Sequence, residues 1–297
     1  MRKNLYVLII LLSALLSSSR AYADREFLSH YTQTLYNAES GMDANDSSSV
    51  IQTSDGYIWT ASYSGLIRFD GKEFVRFSSD AKSGFTAISA TTLFEDYKGT
   101  LWVGTNESGL FYRGEGKFVQ VKNSGEGAFS SIRSIAANSK GQMYVGSGSG
   151  LGIVESETIK KVSDPATDSE FILGMVFDRD DRLWCVTRNG GLFIMKDGRH
   201  IKNINTDAVK NHKTLSILLC RDGRIFAGLV EGGIAELSIV NDTLKVKKYN
   251  TGSLDAINGL YEDSDGLIWA CGDNGLGFLD KTSEFHVAEG ALVNSNV

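Results

Sequence analysis

An all-β chain folded as a β-propeller, a ring of four-stranded blades, is what this sequence predicts, and three observations carry the prediction. Aromatic residues recur at intervals of 40 to 43 residues: Trp59, Trp102, Tyr144, Trp184, Phe226 and Trp269. Three residues before each of them stands Gly56, Gly99, Gly141, Asp181, Gly223 or Gly266. Six or seven residues after each comes a glycine followed by an apolar residue: Gly65-Leu66, Gly109-Leu110, Gly150-Leu151, Gly191-Leu192, Gly233-Ile234 and Gly275-Leu276. Three markers in register across six copies are beyond chance. Their period fits a propeller blade, whereas leucine-rich solenoids repeat at shorter intervals and a sandwich would not repeat in this way.

Each copy reads as an antiparallel meander. In the sixth, Ala256 to Tyr261 is an apolar strand and Asp263-Ser264-Asp265-Gly266 a turn. Leu267 to Cys271 is the strand holding the tryptophan, and Asp273-Asn274-Gly275 turns the chain into Leu276 to Leu279. Phe285 to Val287 closes the unit. Gly, Asp and Asn supply the conformations of tight hairpin turns. A single Pro in 297 residues fits a chain made mostly of hydrogen-bonded strands. One such sheet cannot bury both of its faces, so the repeated aromatic fills the wedge between one blade and the next.

The organisation follows. Residues 1–23 read as a signal peptide: Arg2 and Lys3 precede an apolar run from Leu5 to Leu16, and Ala21-Tyr22-Ala23 offers the small residues of a cleavage site. Residues 24–47 lead into the first blade, and 48–287 form blades 1 to 6. Residues 288–297 read as the lead-in to a missing seventh blade, because Asn294-Ser295-Asn296-Val297 echoes Ser47-Ser48-Ser49-Val50 before blade 1. The expectation is thus six complete blades of a truncated seven-bladed ring, with Phe27 to Tyr36 available to pair with the last blade.

Composition narrows the function. The formal net charge is −6, and it falls to −9 once Arg2, Lys3 and Arg20 leave with the signal peptide. No Lys/Arg run exceeds two residues, so a nucleic-acid partner has no basic face to bind. The three cysteines, Cys185, Cys220 and Cys271, form no CxxC pair and read as buried free thiols.

The stretch Gln52-Thr53-Ser54-Asp55-Gly56-Tyr57-Ile58-Trp59, followed by Ser64-Gly65-Leu66-Ile67-Arg68-Phe69-Asp70-Gly71, resembles the two-component-regulator propeller repeat. Lys98 to Thr105 and Asp265 to Trp269 resemble it as well, and the resemblance runs from about Tyr31 to Val297. It weakens where Tyr144 and Phe226 replace Trp and where Asp181 replaces the turn glycine. The resemblance implies the extracytoplasmic input module of a membrane-anchored bacterial sensor. Its output domain, a histidine kinase or a diguanylate cyclase, would follow a membrane helix, and a dimer is one state of such a relative.

The residues show no catalytic constellation. His30, His200, His212 and His286 are scattered and share no ligand spacing with Asp, Glu or Cys, so no metal and no cofactor are expected. Gly146-Ser147-Gly148-Ser149-Gly150 has no following Lys-Ser/Thr and reads as a hairpin. The sialidase turn S-x-D-x-G-x-x-W is incomplete, with Ser264 and Ser54 where its Asp belongs. Binding is expected at the mouth of the central channel, where Arg133, Glu170, His212 and Asn258 stand at or near the start of innermost strands. The partner would be a small ligand, carbohydrate among the candidates, or a protein. A secreted propeller lyase or glycosidase is the alternative.

Overall fold

The computed structural model describes residues 34–288 apart from 45, 124–128, 166, 169, 190 and 202–212. Within them the chain forms six antiparallel sheets in a ring, a six-bladed β-propeller. Blade 1 is β1 (Ser49–Gln52), β2 (Ile58–Ser62), β3 (Gly65–Phe69) and β4 (Phe74–Phe77). Blade 2 is β5 (Thr92–Glu95), β6 (Leu101–Gly104), β7 (Leu110–Gly114) and β8 (Lys117–Gln120). A short strand, β9 (Lys122–Asn123), then adds in parallel to the outer edge of blade 3. Blade 3 itself is β10 (Ile132–Ala137), β11 (Met143–Ser147), β12 (Gly150–Glu155) and β13 (Thr158–Lys161). Blade 4 is β14 (Ile172–Phe177), β15 (Leu183–Thr187), β16 (Leu192–Lys196) and β17 (Arg199–His200). Blade 5 is β18 (Thr214–Leu219), β19 (Ile225–Leu229), β20 (Ile234–Val240) and β21 (Thr243–Tyr249). Blade 6 is β22 (Gly259–Glu262), β23 (Ile268–Gly272), β24 (Gly275–Leu279) and β25 (Phe285–Val287). The first strands of successive blades pack on one another from β1 to β22, so they are innermost.

The turn before each aromatic strand explains the repeat. Asp96 accepts hydrogen bonds from the Lys98 and Thr100 amides through Oδ1, while its Oδ2 accepts from Trp102 Nε1 at 2.9 Å. Asp178 and Trp184, and Asp263 and Trp269, repeat this over the same six-residue span, each at 2.8 Å. One carboxylate therefore closes the turn and aims the indole. Blade 3 carries Asn138 and Tyr144 instead. The smaller ring leaves a cleft of about 460 Å³ between blades 3 and 4, lined by Lys140, Tyr144, Phe177, Asp181, Asp197 and Arg199 among others.

The glycine substitute in blade 4 has a role of its own. Asp181 sits at φ 55, and its carboxylate accepts from the Ser139 amide at 2.8 Å and the Ser139 hydroxyl at 2.5 Å, tying blade 4 to blade 3. The Ser139 side chain and backbone hold its pKa below the usual carboxylate value, against a smaller opposing effect of burial. A depressed Asp stabilises the fold above its unfolded pKa, and that contribution disappears as pH falls through the folded value. Asp181→Asn should flatten the acid limb of a melting-temperature profile below about pH 4 and leave the neutral region less affected.

Five apolar cores fill five seams. Trp59 and Leu66 pack on Leu93, Leu101 and Val103 of blade 2. Leu110 with Ile132 and Val145, then Tyr144 and Leu151 with Ile172 and Leu183, fill the next two seams. Trp184 with Ile225 and Ala227, and Phe226 and Ile234 with Ile257 and Ile268, fill the fourth and fifth. Blades 6 and 1 instead face each other across a cleft of about 670 Å³.

Several expectations are corrected. Trp102 and Trp269 are only half-buried, unlike the other four anchors. Cys185 and Cys220 are buried free thiols, with burial pushing each up to about 12, but Cys271 is exposed and lines the cleft beside blade 1. Tyr36 packs on Phe69 and Phe74 of blade 1 rather than on the last blade, and residues 27–33 lie outside the described residues. The first strand of blade 6 begins at Gly259 rather than Ala256, whose positive φ of 32 keeps it out of the ladder. The expected signal peptide and the last nine residues also lie outside the described residues.

Candidate functional site

In a meander, the start of the innermost strand and the loop joining the second and third strands share one face of the ring. On that face, blades 2, 3 and 4 bring together Asn106, Arg133, Phe171 and Arg188. Arg133, the second residue of β10, donates from Nη2 to Asn106 Oδ1 at 2.6 Å. Its guanidinium lies 5.7 Å from the centre of the Phe171 ring, and that of Arg188 lies 4.0 Å from the same ring. The Arg188 amide donates to the Phe171 carbonyl at 2.9 Å, which fixes the second loop against the first strand of blade 4. Phe171 is held between two cations.

Two polar atoms here are buried without a hydrogen-bond partner: Arg133 Nε and Glu170 Oε2. Unpaired buried groups cost stability and are uncommon in folded proteins, so a site that keeps two of them is suited to a ligand that pairs them. Farther round the face, Ser89 Oγ donates to Glu107 at 2.9 Å and the Tyr63 amide to Asp46 at 2.8 Å.

Of the four channel-mouth candidates, the structure brings Arg133 and Glu170 to neighbouring blades beside one aromatic ring. Asn258 stands apart: it donates to Asp273 Oδ1 at 2.5 Å within blade 6 and lines the cleft beside blade 1. His212 lies outside the described residues. Sequence reasoning missed Phe171 and Arg188. Each is ordinary in its own segment: the pairing of β14 with β15 joins them within blade 4, and the approach of blade 3 brings Arg133 to the same ring. The available signal was a large aromatic directly before an innermost strand.

One cluster departs from the expectation that no histidine joins ligand-type neighbours. Ligand atoms of Asp280, Glu284 and His286 lie within 4.8 Å of one another. Asp280 accepts from the Thr282 and Glu284 amides and pairs with His286 Nε2 at 3.0 Å, six residues on. That is the Asp-to-indole arrangement of the other turns with an imidazole in place of the indole, and it is a turn lock. Ser147, expected in a hairpin, accepts from the Ser149 amide at 3.0 Å between β11 and β12. Among the described residues no helix is long and apolar enough to cross a membrane.

The whole architecture is shared with solved structures. The extracellular domain of the hybrid two component system BT3049 from B. thetaiotaomicron superposes with a TM-score of 0.70 at 18% identity, over 86% of this chain and 36% of that one. That of BT4673 from the same organism gives 0.72 at 18% identity, over 86% and 38%. This chain thus spans little more than a third of the extracellular domains it matches. Virginiamycin B lyase from Staphylococcus aureus gives 0.65 at 12% identity, over 81% of this chain and 83% of the lyase. At these identities the fold is what is shared. Comparison with curated proteins gives no match. Residues 84–107, from the approach to blade 2 into its second loop, match the two component regulator propeller family. The aromatic and Gly-apolar markers recur in all six blades and the turn glycine in five of them, so the whole ring repeats the pattern that this match picks out in blade 2.

Proposed function

We propose that this chain is the extracytoplasmic, ligand-sensing part of a bacterial signal-transduction protein, and that it recognises its ligand at the channel mouth rather than transforming it. The observation that carries the reading is the Arg133–Phe171–Arg188 cluster with the unpartnered Arg133 Nε and Glu170 Oε2. Two guanidiniums, an aromatic face and a carboxylate suit a small polar ligand with an anionic group and a flat apolar side; acidic sugars are one such class. The family-model match over residues 84–107, the fold shared with extracellular domains and the expected export signal support a location outside the cytoplasm.

Thermal shift against a panel of acidic sugars and small carboxylates, followed by calorimetry, tests the reading. A ligand present at a hundred times its dissociation constant should stabilise the fold by about 2.7 kcal/mol. Arg133→Ala should weaken that ligand at least about tenfold, the loss expected for one charge-assisted hydrogen bond, while leaving the unliganded melting temperature nearly unchanged. No stabilisation by any anionic compound, or equal affinity in the variant, would sink the assignment of the site. The second reading, a secreted lyase, is favoured by the fold shared with virginiamycin B lyase over most of both chains. It predicts a product from the bound ligand, which mass spectrometry of the incubated mixture would reveal.

A further inference from the structure

The seam between blades 3 and 4 departs from the repeat at two positions. The first is Tyr144, where blades 1, 2, 4 and 6 carry tryptophan. The second is the last residue of the innermost strand. Glu95 ends β5 and Glu262 ends β22, and each accepts from the turn of the blade before it, from Ser54 and from the Arg221 amide. Blade 4 has Phe177 at that place. The linking carboxylate has moved to the next turn, where Asp181 accepts from the Ser139 amide and hydroxyl. Phe177 is thereby free to lie against Tyr144, with ring centres 5.2 Å apart and planes inclined at 60°. Ile153 and Val162 pack on the same core. The cleft of about 460 Å³ thus has an aromatic and aliphatic floor.

Its rim is charged. Lys140 stands in the turn between β10 and β11, while Asp197 and Arg199 stand at the turn between β16 and β17, on the other wall. Charges nearby are taken up in ion pairs, Lys160 with Glu155 and Arg182 with Asp178 and Asp180. Among the described residues Lys140, Asp197 and Arg199 form no such pair. Gln142 Oε1 meets Asn138 Nδ2 and Tyr144 Oη at 3.4 Å each, both long, and keeps capacity for a further donor. The walls are fixed in advance. Asp181 and Ser139 tie them across the seam, and the His200 amide donates to Asp164 Oδ2 at 3.0 Å, which holds the segment after Val162 on the outer strand of blade 4.

We propose that this cleft binds a zwitterion with an aromatic side chain: an aromatic amino acid, free or within a dipeptide. Its ring lies on Tyr144 and Phe177, its ammonium pairs with Asp197, and its carboxylate pairs with Lys140 and Arg199. An indole or phenol ring directs its donor to Gln142 Oε1, in place of the turn carboxylate that receives the indole in blades 2, 4 and 6. A simple anion would bring its charge against Asp181 and Asp197, and a simple cation against Lys140 and Arg199, whereas a molecule with both charges meets both. The volume lies within the range of small-ligand sites, about 300–1,000 Å³. The cleft opens on the face opposite the channel mouth, because the first and third turns of a meander lie at the other end from the second. Its occupancy is therefore independent of the ligand proposed there.

Calorimetry with glycyl-L-tryptophan tests the assignment, with its N-acetyl and C-terminal amide derivatives as the singly charged controls. The expected result is binding of the dipeptide, with either derivative at least about tenfold weaker, the loss of one charge-assisted hydrogen bond. Asp197→Asn should weaken the dipeptide by a similar factor and leave the N-acetyl probe unchanged. Tyr144→Trp restores the anchor of four other blades and should abolish binding by filling the cleft, with a melting curve to establish that it folds. No binding of any probe at millimolar concentration would overturn the proposal, as would equal affinity for all three. Full affinity in Asp197→Asn or in folded Tyr144→Trp would also overturn it, and would place the dipeptide elsewhere on the ring, the channel mouth included.

Discussion

Trp184→Ala is expected to remove about 3–5 kcal/mol of stability, and Trp269→Ala less than half as much, in guanidinium unfolding of the same chain. Both indoles donate to a turn carboxylate six residues earlier at 2.8 Å, so the hydrogen bond lost is the same in each variant. The difference is packing. Trp184 is 1% exposed inside the core between blades 4 and 5, with Ile225, Ala227 and Leu237 around it. Truncating it leaves a cavity that strands held on both sides cannot collapse. Trp269 is only partly buried and borders the cleft, so truncating it removes less buried area and leaves a smaller enclosed cavity. Equal losses in the two variants would mean that the sixth seam is closed in solution.

Gly228→Ala is expected to cost about 2–3 kcal/mol, near the top of the range for overpacking. A Cβ there would lie 2.4 Å from the Ile257 carbonyl oxygen and 2.5 Å from Ser216 Oγ. The first of these is backbone of the next blade and has nowhere to go. Ser216 Oγ donates to that same carbonyl at 3.1 Å, so the intruding methyl also strains the link between blades 5 and 6. Cys271→Ala, at the corresponding place in blade 6, should be nearly neutral. A shift in the unfolding midpoint for the glycine variant alone is the expected pattern, and equal shifts would count against it.

Much of this fold was legible because its rules are local. The Gly-x-x-aromatic spacing and the Gly-apolar pair each mark a hairpin, and six repetitions fixed the blades and their order. What escaped was set by neighbours. Cys271 stands two residues past its tryptophan, where Gly146 and Gly228 meet the next blade, yet it is exposed because no such packing covers it in blade 6. Asp280 and His286 came together through a turn whose rule, an Asp six residues before a ring N–H, emerges only once three Asp–Trp pairs are seen bonded. At the channel mouth the sequence pointed to Arg133 and Glu170, which the ring brings to neighbouring blades. Phe171 was overlooked because the significance of an aromatic close to two arginines depends on segments from two blades.

Every blade is made from one uninterrupted run of chain, and no described sheet mixes strands from opposite ends of the sequence. Hairpin pairing within a blade, and the packing of each blade on the one before it, join residues that are near in sequence. Assembly therefore need not wait for a distant terminus. A chain emerging amino-end first can complete blade 1 and then use its exposed face as the template for blade 2, adding units in order. That order keeps the length of unprotected polypeptide to about one repeat at any moment.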